Sequence, residues 1–79
     1  MKYMIKMPRV AETTDQVYLV SWGKSVGDRV EIGDSLLEVE TDKATVQIPS
    51  PVSGILKETF FREGEEISTG EHIASCESD

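Results

Sequence analysis

An all-β fold built as two similar halves, packed face to face into a flattened sandwich or barrel, is what this sequence predicts. Three observations carry that expectation. Short runs rich in β-branched residues alternate with glycine and proline punctuation, and no stretch carries sustained helical periodicity. The last third of the chain echoes the middle: Gly27 recurs as Gly64 and Gly33 as Gly70, each followed by an acid and flanked by matching apolar positions. Finally, 79 residues with 38% hydrophobic content support one modest core and no cleft between lobes. The whole of 1–79 is therefore expected to form a single domain.

Taken in order, residues 2–7 read as a first strand stopped by Pro8, and Ala11 to Gln16 as a polar surface loop. Val17 to Trp22 is a strong β-branched and aromatic run, hence a second strand. Gly23, Gly27 and Gly33 punctuate turns around a short strand near Arg29 to Ile32. Ser35 to Glu40 and Ala44 to Ile48 read as two strands of a central hairpin, ended by Pro49-Ser50-Pro51. Residues 54–61 form another strand, Glu66 to Ser68 a short one between Gly64 and Gly70, and His72 to Cys76 the last. The repeat pairs Leu36 with Ile73, Val39 with Cys76 and Asp42 with Asp79. It thus sets the central hairpin at one end and the chain termini at the equivalent place on the other.

Composition excludes several function classes. A net charge of −7 disfavours nucleic acid and anionic membrane as partners, and no apolar run approaches a membrane span. One cysteine, Cys76, allows no internal disulfide, and with a lone His72 it falls short of a zinc site built by the chain. His72 and Ser75 have no nucleophilic partner, and Ile5, Val20 and Trp22 are expected in the core. An intracellular location is expected: the cytoplasm of a bacterium, or the mitochondrial matrix in a eukaryote.

The candidate site is the reversal within Glu40-Thr41-Asp42-Lys43-Ala44. The spacing suggests a tight two-residue turn at Asp42-Lys43. Hairpin turns of that kind want positive φ, which glycine accepts and lysine resists. A lysine at such a tip breaks a local rule, and such breaks tend to mark function. An isolated lysine is ordinarily a solvated surface charge. Lys43, however, is the only basic residue between Arg29 and Lys57, set among Glu38, Glu40 and Asp42. Acidic surroundings suit neither a nucleophilic amine nor a Schiff base, so display of the amine for covalent modification is the better use. Asp42 is read first as a turn residue and second as a guide for the modifying enzyme.

These residues resemble the lipoyl domains of 2-oxo acid dehydrogenase complexes, within the biotinyl/lipoyl carrier family. The resemblance spans essentially the whole chain. It includes Met7-Pro8, Trp22, Val26 to Val30, Gly33-Asp34, Glu38 to Ala44, Ile48 to Pro51, Gly54, Glu63-Gly64 and Gly70. Gly27 stands sixteen residues before Lys43 and Gly54 eleven after, as in the family pattern. The resemblance implies a flattened barrel of two four-stranded antiparallel sheets with an internal pseudo-two-fold axis. It also implies lipoate joined by an amide to Lys43, with Asp42 and Ala44 flanking it in the turn. The biotin-carrying branch typically shows Met-Lys-Met at this place.

The implied function is that of a non-catalytic swinging-arm carrier, a module found within dihydrolipoamide acyltransferase chains. The implied partners are a thiamine-dependent 2-oxo acid decarboxylase, the dihydrolipoyl acyltransferase core, dihydrolipoyl dehydrogenase and the lipoate-attaching enzyme. The isolated domain is expected to be a monomer. The first loop, where Ala11 and Thr13 replace glycines common in the family, is implied to lie near the lipoyl-lysine. Two alternatives stand beside this reading: a biotinyl carrier of a carboxylase, and an unmodified acidic interaction module.

Overall fold

The computed structural model describes residues 1–10 and 16–79. Among the described residues eight strands run in chain order: β1 (Lys2–Lys6), β2 (Gln16–Trp22), β3 (Arg29–Val30), β4 (Ser35–Glu40), β5 (Thr45–Pro49), β6 (Gly54–Thr59), β7 (Glu66–Ser68) and β8 (His72–Ser78). They form two four-stranded antiparallel sheets, ordered β1-β8-β6-β3 and β5-β4-β2-β7. The particle measures 35 × 19 × 18 Å.

Strands β2 and β5 match the alternation in the sequence. Along β2, Val17 and Leu19 point inward while Gln16, Tyr18 and Val20 face out. On β4, Leu36, Leu37 and Val39 are buried, and on β8 Ile73, Ala74 and Cys76. These residues form one core with Ile5, Met7, Val30, Ile48, Leu56 and Ile67. Burial pushes the Cys76 thiol up, so the side chain acts as a small apolar filler, as the repeat suggests.

The internal repeat is a repeat of turns. Ser25 to Asp28, Glu31 to Asp34, Arg62 to Glu65 and Ser68 to Glu71 each close with a backbone bond from the fourth residue's N–H to the first residue's carbonyl, at 2.9–3.1 Å. In each the third residue is glycine, with φ of 98° at Gly27, 93° at Gly33, 90° at Gly64 and 91° at Gly70. That is the positive-φ position of a type II turn, which explains why glycine recurs there. The acid that follows each glycine also has one task. Asp28, Asp34, Glu65 and Glu71 each accept a bond from the N–H of the turn's first residue, at 2.6–3.0 Å. The turns then bridge the halves reciprocally. Gly27 donates to the Leu56 carbonyl at 2.8 Å, and its repeat mate Gly64 donates to that of Leu19 at 2.8 Å.

Several expectations shift at the edges. Of the expected loop at 11–16, residues 11–15 lie outside the described residues, and Gln16 already pairs with Ser68 in a strand. The strand expected over 54–61 ends at Thr59. The one near Arg29 to Ile32 keeps only two residues, because Glu31 opens the next turn. Val20 is not core: it is 39% exposed, on the same outward face as Tyr18. Trp22 packs against the core from its rim, and its indole N–H donates to the Phe61 carbonyl at 3.0 Å.

Candidate functional site

The central hairpin turns over four residues rather than two. Glu40 on β4 pairs with Thr45 on β5, which leaves Thr41, Asp42, Lys43 and Ala44 as the connecting loop. The expectation of a strained positive φ at Asp42 or Lys43 is overturned. No described residue other than glycine has positive φ. Thr41 supplies the reason. Its amide donates to the Ala44 carbonyl at 2.8 Å, and its Oγ1 donates to the same carbonyl at 3.0 Å. That Oγ1 also accepts from the amides of Lys43 at 3.2 Å and Ala44 at 3.1 Å. The hydroxyl satisfies donors that a left-handed turn would otherwise serve, so the loop needs no glycine. The lysine is displayed without backbone strain.

Asp42, Lys43 and Ala44 are all exposed, with Thr41 half-buried beneath them. The Lys43 ammonium has no ion-pair partner among the described residues. Behind it, five residues of β5 lead away over about 16 Å to Pro49. At that far end Ser53 donates to Asp79 at 3.2 Å, and Arg29 grips the same carboxylate with both terminal nitrogens. The hairpin tip and the chain termini thus occupy opposite ends of the long axis, the placement expected from pairing Asp42 with Asp79.

Beside the tip lies a shallow concavity of about 240 Å³, lined by Gln16, Tyr18, Glu40, Thr41, Asp42 and Glu66. Three of these were not among the site residues expected from the sequence: Tyr18, Gln16 and Glu66. Cross-strand register brings them there, since Tyr18 stands opposite both Glu40 and Glu66. A signal was present in the alternation of β2, which puts Tyr18 on the face opposite Val17 and Leu19. His72 is exposed at the start of β8, and Ser75 is buried with its hydroxyl donating to Glu58 at 3.1 Å. Among the described residues no group of three or more His, Cys, Asp or Glu side chains is placed to hold a metal ion. The arrangement offers a mounted, accessible amine beside an open concavity. It suits attachment of a long group through Lys43.

Comparison with known proteins agrees with this geometry. The sequence profile of the family described as "Biotin-requiring enzyme" matches residues 3–76. The chain is 40% identical over 74 residues to the dihydrolipoyllysine-residue acetyltransferase component of the pyruvate dehydrogenase complex of Corynebacterium glutamicum, covering 94% of this chain and 11% of that protein. It is 41% identical over 75 residues to the lipoamide acyltransferase component of the branched-chain α-keto acid dehydrogenase complex of Pseudomonas aeruginosa, covering 95% of this chain and 18% of that protein. The chain therefore spans less than a fifth of the length of either relative. In structure it resembles the lipoyl domain of the 2-oxoglutarate dehydrogenase complex from Azotobacter vinelandii. The TM-score is 0.73 at 25% identity, over 92% of both chains. By sequence and by fold alike, this chain belongs to the biotin- and lipoyl-domain family.

Proposed function

We propose that the chain is a swinging-arm carrier whose arm is a lipoyl group joined through an amide to Nζ of Lys43. The observation that carries this reading is the exposed Lys43 amine at the hairpin tip, without an ion-pair partner among the described residues and mounted on a loop that Thr41 pins in place. When attached, the lipoyl group supplies the acyl-transfer and redox chemistry, so the protein needs no catalytic set of its own. The chain's residues have other tasks. Thr41 holds the loop, β4 and β5 hold it at the end of a stiff sandwich, and Asp42 and Ala44 leave the amine open on both sides. A rigid mount with one flexible arm raises the effective concentration of the carried group at each active site it can reach.

Within such a system Lys43 would hold the lipoyl group and present it in turn to a thiamine-dependent 2-oxo acid decarboxylase, a dihydrolipoyl acyltransferase core and dihydrolipoyl dehydrogenase, the group supplying the acyl-transfer and redox chemistry. The domain is a substrate for each of them. The relatives named above, which are acyltransferase components of such complexes, support this assignment.

The test is intact-mass analysis after co-expression with a lipoate-attaching enzyme, and in parallel with a biotin-attaching one. One lipoyl adduct on the native chain and none on Lys43→Arg is the expected result. A biotinyl adduct alone would make this a biotin carrier. No adduct from either enzyme, with native fold retained, would leave an unmodified interaction module and refute the carrier reading.

A further inference from the structure

Next to the tip, the outward face of the β5-β4-β2-β7 sheet carries an exposed aromatic between two acids. Glu66 on β7 stands opposite Tyr18 on β2, and Tyr18 stands opposite Glu40 on β4. All three are exposed, Tyr18 by 51%. Directly opposed residues on neighbouring strands have Cβ atoms about 5 Å apart, so the ring lies within side-chain reach of a carboxylate on either side. None of the three has a side-chain hydrogen bond or ion pair within the described molecule. Elsewhere, described bases do find acids, as Arg29 pairs with Asp79 and Glu31, Lys24 with Asp34, and Lys2 with Glu58. The row Glu66–Tyr18–Glu40 also borders the concavity beside Lys43.

We infer that this row is a docking site for an arginine side chain presented on the surface of an enzyme that acts on the arm. Charge complementarity names the occupant. A planar guanidinium stacks on an exposed phenol ring while its N–H edges reach carboxylates flanking that ring, which a compact ammonium cannot do at once. Position adds a second reason. An enzyme that receives the arm must bring its entrance to the hairpin tip, and the row lies on the sheet beside that tip. Val20, on the same outward face of β2, extends the apolar ground on which a partner's side chains can rest.

Loading changes the site. Amide formation on Lys43 removes the one ammonium of the tip, taking the local group of Glu40, Asp42, Glu66 and Lys43 from a formal charge of −2 to −3. The loaded domain therefore attracts the cationic surface more strongly than the unloaded one. This last point, and the assignment of the arginine to an enzyme that acts on the arm, rest on Lys43 being the modified residue; arginine binding by the row itself does not.

The experiment titrates the isotope-labelled domain with tetra-arginine peptide and with tetra-lysine peptide at equal charge, following amide NMR shifts. Arginine peptide is expected to move the amides of Tyr18, Glu40 and Glu66 and to bind more tightly than lysine peptide. Tyr18→Leu, which keeps bulk but removes the ring, weakens arginine binding about two- to fivefold, the size of one exposed cation–π contact, and brings it level with lysine. The double variant Glu40→Gln with Glu66→Gln weakens both peptides. Loaded domain binds arginine peptide about twofold more tightly than unloaded domain at low salt. Equal binding of the two peptides by the native domain, or shifts centred away from Tyr18, would overturn the docking site. Preserved spectral dispersion in each variant shows that the fold is intact. If intact mass finds no adduct while the arginine preference persists, the carrier reading fails and the docking site stands.

Discussion

Gly54 offers the sharpest test of how closely β6 and β8 are packed. It opens β6 at the sheet position paired with Ser78 on β8 and with Val30 on β3. A Cβ placed on it would lie 2.1 Å from the Glu77 carbonyl oxygen and 2.8 Å from both the Glu77 carbonyl carbon and the Ser78 Cα. All of these are backbone atoms of β8, so no side chain can swing aside to make room. The residue also has φ of +154°, which L side chains rarely adopt. Gly54→Ala therefore combines a conformational penalty with an overpacking penalty, about 2–5 kcal/mol together. Against a net stability of roughly 4–12 kcal/mol for a chain of this length, that is a large share. Gly27→Ala is the internal control. Its φ is +98°, but nothing lies within 4 Å of the added carbon, so only the conformational cost of about 1–2 kcal/mol applies. Urea unfolding followed by Trp22 fluorescence measures both. Gly54→Ala is expected to lower the midpoint much further than Gly27→Ala at unchanged slope, with a Tm loss of at least about 10 °C. Equal midpoints for the two variants would refute the argument that β6 and β8 touch backbone to backbone at this point.

Other perturbations separate the tip from the scaffold. Thr41→Val removes the Oγ1 that receives two loop amides. It should cost about 0.5–1.5 kcal/mol and speed hydrogen exchange at Lys43 and Ala44, with the rest of the molecule unchanged. Asp42→Ala should leave the melting temperature within about 2 °C of native, because its side chain is exposed and makes no ion pair among the described residues, while loading of Lys43 slows modestly. A large loss of stability would show that Asp42 is part of the scaffold. The Arg29 guanidinium holds the Asp79 carboxyl below the usual carboxylate value. The stability it contributes is present above the unfolded-state value of about 3.9 and is lost as pH falls through the lower folded value. Asp79→Asn should accordingly lower Tm at pH 6 and flatten the decline of Tm at lower pH; a native pH profile in that variant would count against the pairing.

Legibility followed the range of the interaction. The strands β2 and β5 were readable because burial on one face leaves period-two alternation in the chain itself. The turns were readable because type II geometry demands glycine at one place, and four turns repeat the demand. Misreadings arose where a remote neighbour decides. Val20 has a core-like side chain, yet the pleat of β2 turns it outward beside Tyr18. The loop at Lys43 looked strained because only its backbone options were weighed, whereas the Thr41 hydroxyl supplied a side-chain solution. Gly54 could be flagged as a glycine needing a reason, but the reason, β8 lying against it, is distant in sequence.

By itself, then, the sequence determined that this is an all-β protein of two echoing halves with a solitary lysine between two strands. Those features are written in local periodicity, turn chemistry and charge. Only the tertiary structure decided that the lysine is presented without strain and that Tyr18 joins Glu40 and Glu66 beside it. Each of these depends on strand register, which brings together residues that no local pattern links.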